Sequence, residues 1–241
     1  SPRQKGGNPS GFHRYLLGKP KSTKNNKLTT GKSKYEIIHE HLENIWTKFP
    51  SFRLMVCGHS LGASLATLFA YQTAMDALVA NKQNPKIVSC YAFASPRVGN
   101  EKFARAFDQL EVDGKLRFLR IVNQKDVVTR LPERPLVSCA LNNAVYQHVG
   151  VEIRLFRNRE FQINYPRFYH TRLGKFGHNA AMSVQGLLVT PLWCVDAIQR
   201  NIVQCHQCDE YIERLGRRGN DLKKVFMAEL TDKMRKLVRN E

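Results

Sequence analysis

Five residues, Gly58-His59-Ser60-Leu61-Gly62, constrain this chain more than any other feature. G-x-S-x-G alone is weak, since about one chain in ten of this length carries it by chance. Its setting is more selective. The short apolar run Arg53 to Cys57 precedes it, and Ala63 to Val79 resumes helical spacing after it. A serine at a sharp strand-to-helix turn is held in a strained conformation with its hydroxyl exposed, and crowding two positions either side favours glycine at 58 and 62.

The surrounding pattern is α/β. Tyr35, Ile38, Leu42, Ile45, Trp46 and Phe49 fall on one face of a helix that Pro50 stops. Ile87 to Ala94 and Leu116 to Val122 are short runs rich in Val, Ile, Phe and Tyr, separated by the helical stretch Glu101 to Leu110. Strands alternating with helices predict a mainly parallel sheet flanked by helices. Gly150 to Phe156 alternates apolar and charged residues and reads as a half-exposed strand nearer an edge.

The chain divides into a basic, largely irregular segment 1–34, an α/β core 35–200 and a basic amphipathic helical extension 201–241, whose stripe runs from Asp221 to Val238. Of 241 residues, 38 are Lys or Arg and 20 Asp or Glu, a net charge of +18, and residues 1–34 carry nine of the basic ones and no acid. That segment reads as a solubilising loop or as a contact for an anionic membrane or lipid-droplet surface. No nucleic-acid motif accompanies it.

No window reaches the roughly 18 apolar residues of a membrane span, since Met182 to Ile198 is interrupted by Gln185, Pro191 and Asp196. Without an initiator Met or signal-like start, the chain reads as part of a longer one, cytoplasmic or peripheral to a membrane. Cys57 and Cys90, inside apolar runs, are expected to be buried thiols. Cys205-His206-Gln207-Cys208 has the spacing of half a zinc site but lacks the other half, so no metal or other cofactor is expected.

Four blocks carry a resemblance: Gly58 to Ala66, Phe93-Ala-Ser-Pro-Arg-Val-Gly-Asn100, Val122-Asn-Gln-Lys-Asp-Val-Val-Thr-Arg-Leu-Pro132 and Tyr146-Gln-His-Val-Gly-Val-Glu152. In this order, over roughly residues 11 to 190, they resemble the class 3, fungal-type lipase family. The resemblance implies an α/β-hydrolase fold and hydrolysis of glycerolipid carboxylic esters, as by a triacylglycerol lipase. Ser60 is then the nucleophile. Asp126, a few residues beyond the strand Leu116 to Val122, is the orienting acid and matches the family's aspartate.

For the base, His148, His170 and His178 follow Asp126; His178, ahead of the apolar stretch Ala180 to Val189, resembles the family's histidine, with His170 second. The Leu61 N–H is one oxyanion donor, and the other is expected in a loop upstream of the lid that this chain lacks together with its first strands. His59 reads as packing, and Arg97 and Asn100 as supports of the acid loop. The rival reading is a lipase-like regulatory or interaction protein with little turnover.

Overall fold

The computed structural model describes residues 11–20, 31–79, 87–132, 146–158, 160–165 and 200–217. Two short-range devices set the first helices. α1 (Gly11–Leu17) buries Leu16, so the basic segment 1–34 is not irregular throughout. α2 (Lys34–Lys48) starts at a capping box: the Glu36 N–H donates to Ser33 Oγ at 3.2 Å, and the Ser33 N–H to Glu36 Oε2 at 2.6 Å. Hydrogen bonds from the Ser33 N–H and the Ser33 side chain hold the Glu36 carboxyl below the usual carboxylate range. Tyr35 then donates to Asp76 Oδ2 at 2.6 Å, tying α2 to the next helix.

β1 (Leu54–His59) runs into α3 (Leu61–Val79), followed by β2 (Val88–Phe93), α4 (Glu101–Val112), β3 (Leu116–Asn123), a 3-10 turn (Val128–Arg130), β4 (Val151–Leu155) and β5 (Phe161–Asn164). Two helices close the described chain, α5 (Arg200–His206) and α6 (Cys208–Gly216). The strands form one sheet in the order β1-β2-β3-β4-β5, parallel from β1 to β4, with β5 antiparallel at one edge. His59 pairs with Phe93 and Phe93 with Ile121, so β1 and β2 end in step and β3 runs two residues further, to Asn123.

Successive side chains of a strand point to opposite faces, and the two faces carry different cores. On one, Val88, Cys90, Ala92, Leu116 and Phe118 meet α3 and α4, with Leu16 and Tyr35 beyond. α3 presents Ala63, Ala66, Ala70 and Ala74 to this core, small residues that allow close approach. On the other face, Leu119, Ile121, Val151, Ile153 and Leu155 receive Tyr211 and Leu215 of α6. The predicted α/β sheet with flanking helices is present, and the extension from residue 201 supplies one of its layers.

Two expectations change. β4 lies next to the edge strand β5, as expected, but is not half-exposed: it is covered on both sides by β3 and β5, with its charged residues neutralised in place. Glu152 faces its cross-strand partner Arg120 at 2.5 Å, meets Arg154 at 2.8 Å and accepts from Asn164 Nδ2 at 2.8 Å. Cys57 is exposed on β1, which pairs with β2 alone among the described strands, whereas Cys90 is buried as expected. The Asp221 to Val238 stripe lies outside the described residues.

Asp108 of α4 offers a stability test. Its Oδ1 is buried without a hydrogen-bond partner, and burial pushes the carboxyl up to about 7. Between the unfolded value near 4 and pH 7 the folded chain holds a proton that the unfolded chain lacks, so stability falls as pH rises through that window. Asp108→Asn should therefore stabilise by about 1–2 kcal/mol at pH 8 and leave stability near pH 4 almost unchanged. Urea unfolding at both pH values reads the difference.

Candidate active site

The turn after β1 is as tight as the sequence requires. Ser60 sits at φ +57°, left-handed backbone that a side chain tolerates only at a cost. Its N–H donates to Phe93 O at 2.9 Å, while its own carbonyl accepts from the Ala63 and Ser64 N–H groups. The elbow is thus tied to the end of β2 and to the first turn of α3. The glycines differ in their duties. A Cβ on Gly58 would collide with the carbonyl of Gly62, whereas a Cβ on Gly62 would meet nothing within 4 Å. The crowding is one-sided.

The acid stands at the same sheet edge. β3 ends at Asn123, the Asp126 N–H donates back to Asn123 O at 3.0 Å, and the 3-10 turn follows. Asp126 has no exposed surface. Its Oδ1 accepts from the Val128 N–H at 2.9 Å, and its carbonyl takes the Thr129 hydroxyl at 2.8 Å. Arg97 braces this loop as expected, donating to the carbonyls of Arg130 and Pro132, with its N–H on Leu131 O at 2.7 Å. Asn100 does a different job, capping α4 by accepting from the Phe103 N–H at 3.1 Å.

The imidazole joining Ser60 to Asp126 belongs to His206, at the end of α5. Its Nδ1 lies 3.0 Å from both carboxylate oxygens of Asp126, and its Nε2 lies 2.9 Å from Ser60 Oγ. A buried carboxylate only accepts, so Nδ1 carries the proton and the Nε2 lone pair faces the serine hydroxyl. In the structure, His206 stands at Ser60 where the sequence reading expected His178. His178 and His170 lie outside the described residues, and His148 donates from Nε2 to Thr129 O at 2.8 Å, backing the acid loop.

Three further side chains hold the His206 segment on the sheet. His59 is more than packing: its Nε2–H donates to His206 O at 2.8 Å, and its ring lies 4.8 Å from the His206 ring. Asn123 Nδ2 donates to Cys205 O at 2.8 Å. Tyr211 of α6 donates to Asp126 Oδ2 at 2.7 Å and accepts from the Asn123 N–H at 3.0 Å. The sequence reading set His206 aside as part of a half zinc site. The available signal was Tyr211, an aromatic five residues on, with Leu215 on the same helical face. Among the described residues no cluster of three or more His, Cys, Asp or Glu could hold a metal ion.

A serine on a strand-to-helix elbow, an imidazole at its hydroxyl and a buried carboxylate behind that imidazole, at the end of a parallel sheet, have the geometry of a serine hydrolase. The family model described as Lipase (class 3) matches residues 11–135, more than half of the chain. The chain belongs to the class 3 lipase family, whose α/β-hydrolase architecture is the one built here.

Among curated relatives, it is 41% identical over 109 residues to "Phospholipase A1-II 6" of Oryza sativa subsp. japonica, covering 42% of this chain and 24% of that one. It is 36% identical over 118 residues to "Galactolipase DONGLE, chloroplastic" of Arabidopsis thaliana, covering 42% and 23%. The chain thus spans about a quarter of the length of these relatives. A crystal structure of a mutant form of MDLA from Penicillium cyclopium aligns with 54% of this chain and 43% of its own, at 30% identity and a TM-score of 0.39.

The one-sided crowding at the elbow makes an asymmetric prediction. Gly58→Ala should prevent the β1–α3 turn from closing, with loss of several kcal/mol or of soluble folded protein, whereas Gly62→Ala should leave stability within about 1 kcal/mol. Thermal unfolding of the two variants checks this.

Proposed function

We propose that this chain carries the catalytic core of a serine carboxylic-ester hydrolase that removes acyl chains from glycerolipids, with Ser60 as nucleophile, His206 as base and then acid, and Asp126 as its orienter. The observation that carries the reading is the unbroken relay from Ser60 Oγ through both nitrogens of His206 to a carboxylate with no exposed surface. It favours turnover over a fold kept only for binding.

In the mechanism that follows, Ser60 Oγ attacks the ester carbonyl carbon as its proton passes to His206 Nε2. The carbonyl oxygen takes up negative charge facing the N–H of Leu61, the first residue of α3, where the helix terminus adds positive potential. The bond from the acyl carbon to the glycerol oxygen breaks, and His206 returns the proton to that oxygen. Water then gives a proton to Nε2 and attacks the acyl-enzyme, releasing the fatty acid and restoring the Ser60 hydroxyl. Asp126 remains ionised throughout and keeps the Nδ1–H directed away from the serine.

Relatives named phospholipase A1 and galactolipase favour a polar glycerolipid over a triacylglycerol as substrate. Leu61, Leu131 and Val203, close in sequence to Ser60, Asp126 and His206, are exposed apolar side chains suited to an acyl chain or a lipid surface. The basic segment would add attraction to anionic lipid. Part of its charge is already engaged, with Lys19 3.4 Å from Glu36 and Lys32 2.7 Å from Glu40.

Ser60→Ala and His206→Ala should each lower kcat on a short-chain p-nitrophenyl ester by about 10⁴-fold or more, and Ser60→Ala should abolish fluorophosphonate labelling. His178→Ala and His170→Ala should retain most activity. A folded, fully active His206→Ala protein would move the base to another residue.

A further inference from the structure

Among the described residues, two side chains donate to the Asp126 carboxylate, His206 and Tyr211, and the hydrolytic steps use only the first. We propose that Tyr211 is a positioning residue that acts through Asp126, fixing the carboxylate so that His206 stays in register with Ser60. The proposal rests on the triad reading above.

The direction of the bond is determined by its surroundings. The Tyr211 oxygen accepts the Asn123 N–H at 3.0 Å, which leaves its own proton for Asp126 Oδ2, 2.7 Å away. Burial and the Asp126 charge push the phenol far above its ordinary range, so Tyr211 remains a donor throughout the working pH range. The ring is held edge-on between His59 at 5.7 Å and Phe93 at 6.4 Å.

The contacts then close a circuit. The backbone of β3 orients the phenol, and the phenol fixes Oδ2. The Val128 N–H fixes Oδ1, and the two oxygens together aim Nδ1 of His206. Without the hydroxyl, Oδ2 retains the imidazole as its one donor and the carboxylate gains freedom to rotate. A base misplaced by a fraction of an ångström then meets Ser60 less often in reacting geometry.

Removing the hydroxyl also leaves more negative charge on Oδ2, so an imidazolium at His206 is held more firmly. Among the described residues, the other titratable or charged groups near this cluster are His59 of β1, Arg120 of β3 and Arg214 of α6.

The experiment compares the wild-type protein with Tyr211→Phe and with 3-fluorotyrosine incorporated at position 211, which keeps the shape and sharpens the donor. Fluorophosphonate titration fixes the active fraction, so unfolded material does not count. Tyr211→Phe should lower kcat by roughly ten- to a hundredfold at nearly unchanged KM. It should also move the acid limb of the kcat/KM profile to higher pH, while fluorotyrosine moves it to lower pH. The downfield His206 Nδ1 proton resonance, assigned by its loss in His206→Ala, should shift in both proteins.

A purely structural tyrosine would lower the melting temperature and leave kcat per titrated site, the pH limb and the Nδ1 resonance in place, and that result overturns the proposal. If wild type neither labels nor turns over, the hydrolase reading fails. The Nδ1 resonance then still decides between a coupled and an uncoupled Tyr211.

Discussion

A carboxylate removed entirely from water holds this site together. An ionised Asp126 at zero exposure is tolerable only if its oxygens are supplied with donors, and they come from three directions: the acid loop itself, the end of α5 and the body of α6. The acid loop therefore has to turn tightly after β3, and the last two described helices have to lie against the sheet. Removing any one donor would leave a buried charge partly unsatisfied, so the burial that orients His206 also binds the C-terminal helices to the core.

The two faces of the sheet divide the labour. The face under α3 and α4 is a conventional apolar core, with alanines of α3 against β1 and β2. The opposite face mixes aliphatic strand residues with Tyr211, whereas the buried Arg120–Glu152 ion pair, in alternation with Leu116 and Phe118, lies on the α3 side of β3 and β4. Buried ion pairs contribute little net stability over well-packed apolar groups, yet losing one partner is costly. Their value here is registration: Arg120 and Glu152 are direct cross-strand partners, and a slip of β4 by one residue would separate them.

Where local chemistry decides the structure, the sequence is legible. The run from β1 through the elbow to α3, α4 with its flanking strands, and Ser60 with Asp126 all follow from periodicity, turn residues and the four ordered blocks. β4 reads as half-exposed because Glu152 and Arg154 look like a wet face, and alternation cannot reveal that a cross-strand arginine neutralises a glutamate. β5 is only four residues long. His206 is passed over because its Cys205–Cys208 setting reads as half a zinc site and its one local signal, Tyr211, is weaker than the apolar stretch after His178. Its backbone is held by His59, 147 residues away, and its neighbour Cys205 by Asn123, 82 residues away. The apolar stretch after His178 supplies a local pattern where the decisive contacts are distant.

Those long separations give the site a direction in time. A chain emerging from the ribosome completes the elbow and acid loop well before residue 206 exists, so Ser60 and Asp126 are in hand while their connecting imidazole is not. Contacts between distant segments form late because the intervening loop must first be closed. On the reading proposed above, the nascent chain then holds a nucleophile without its base until the α5–α6 segment docks under His59 and Asn123, so reactivity waits on the last described helices.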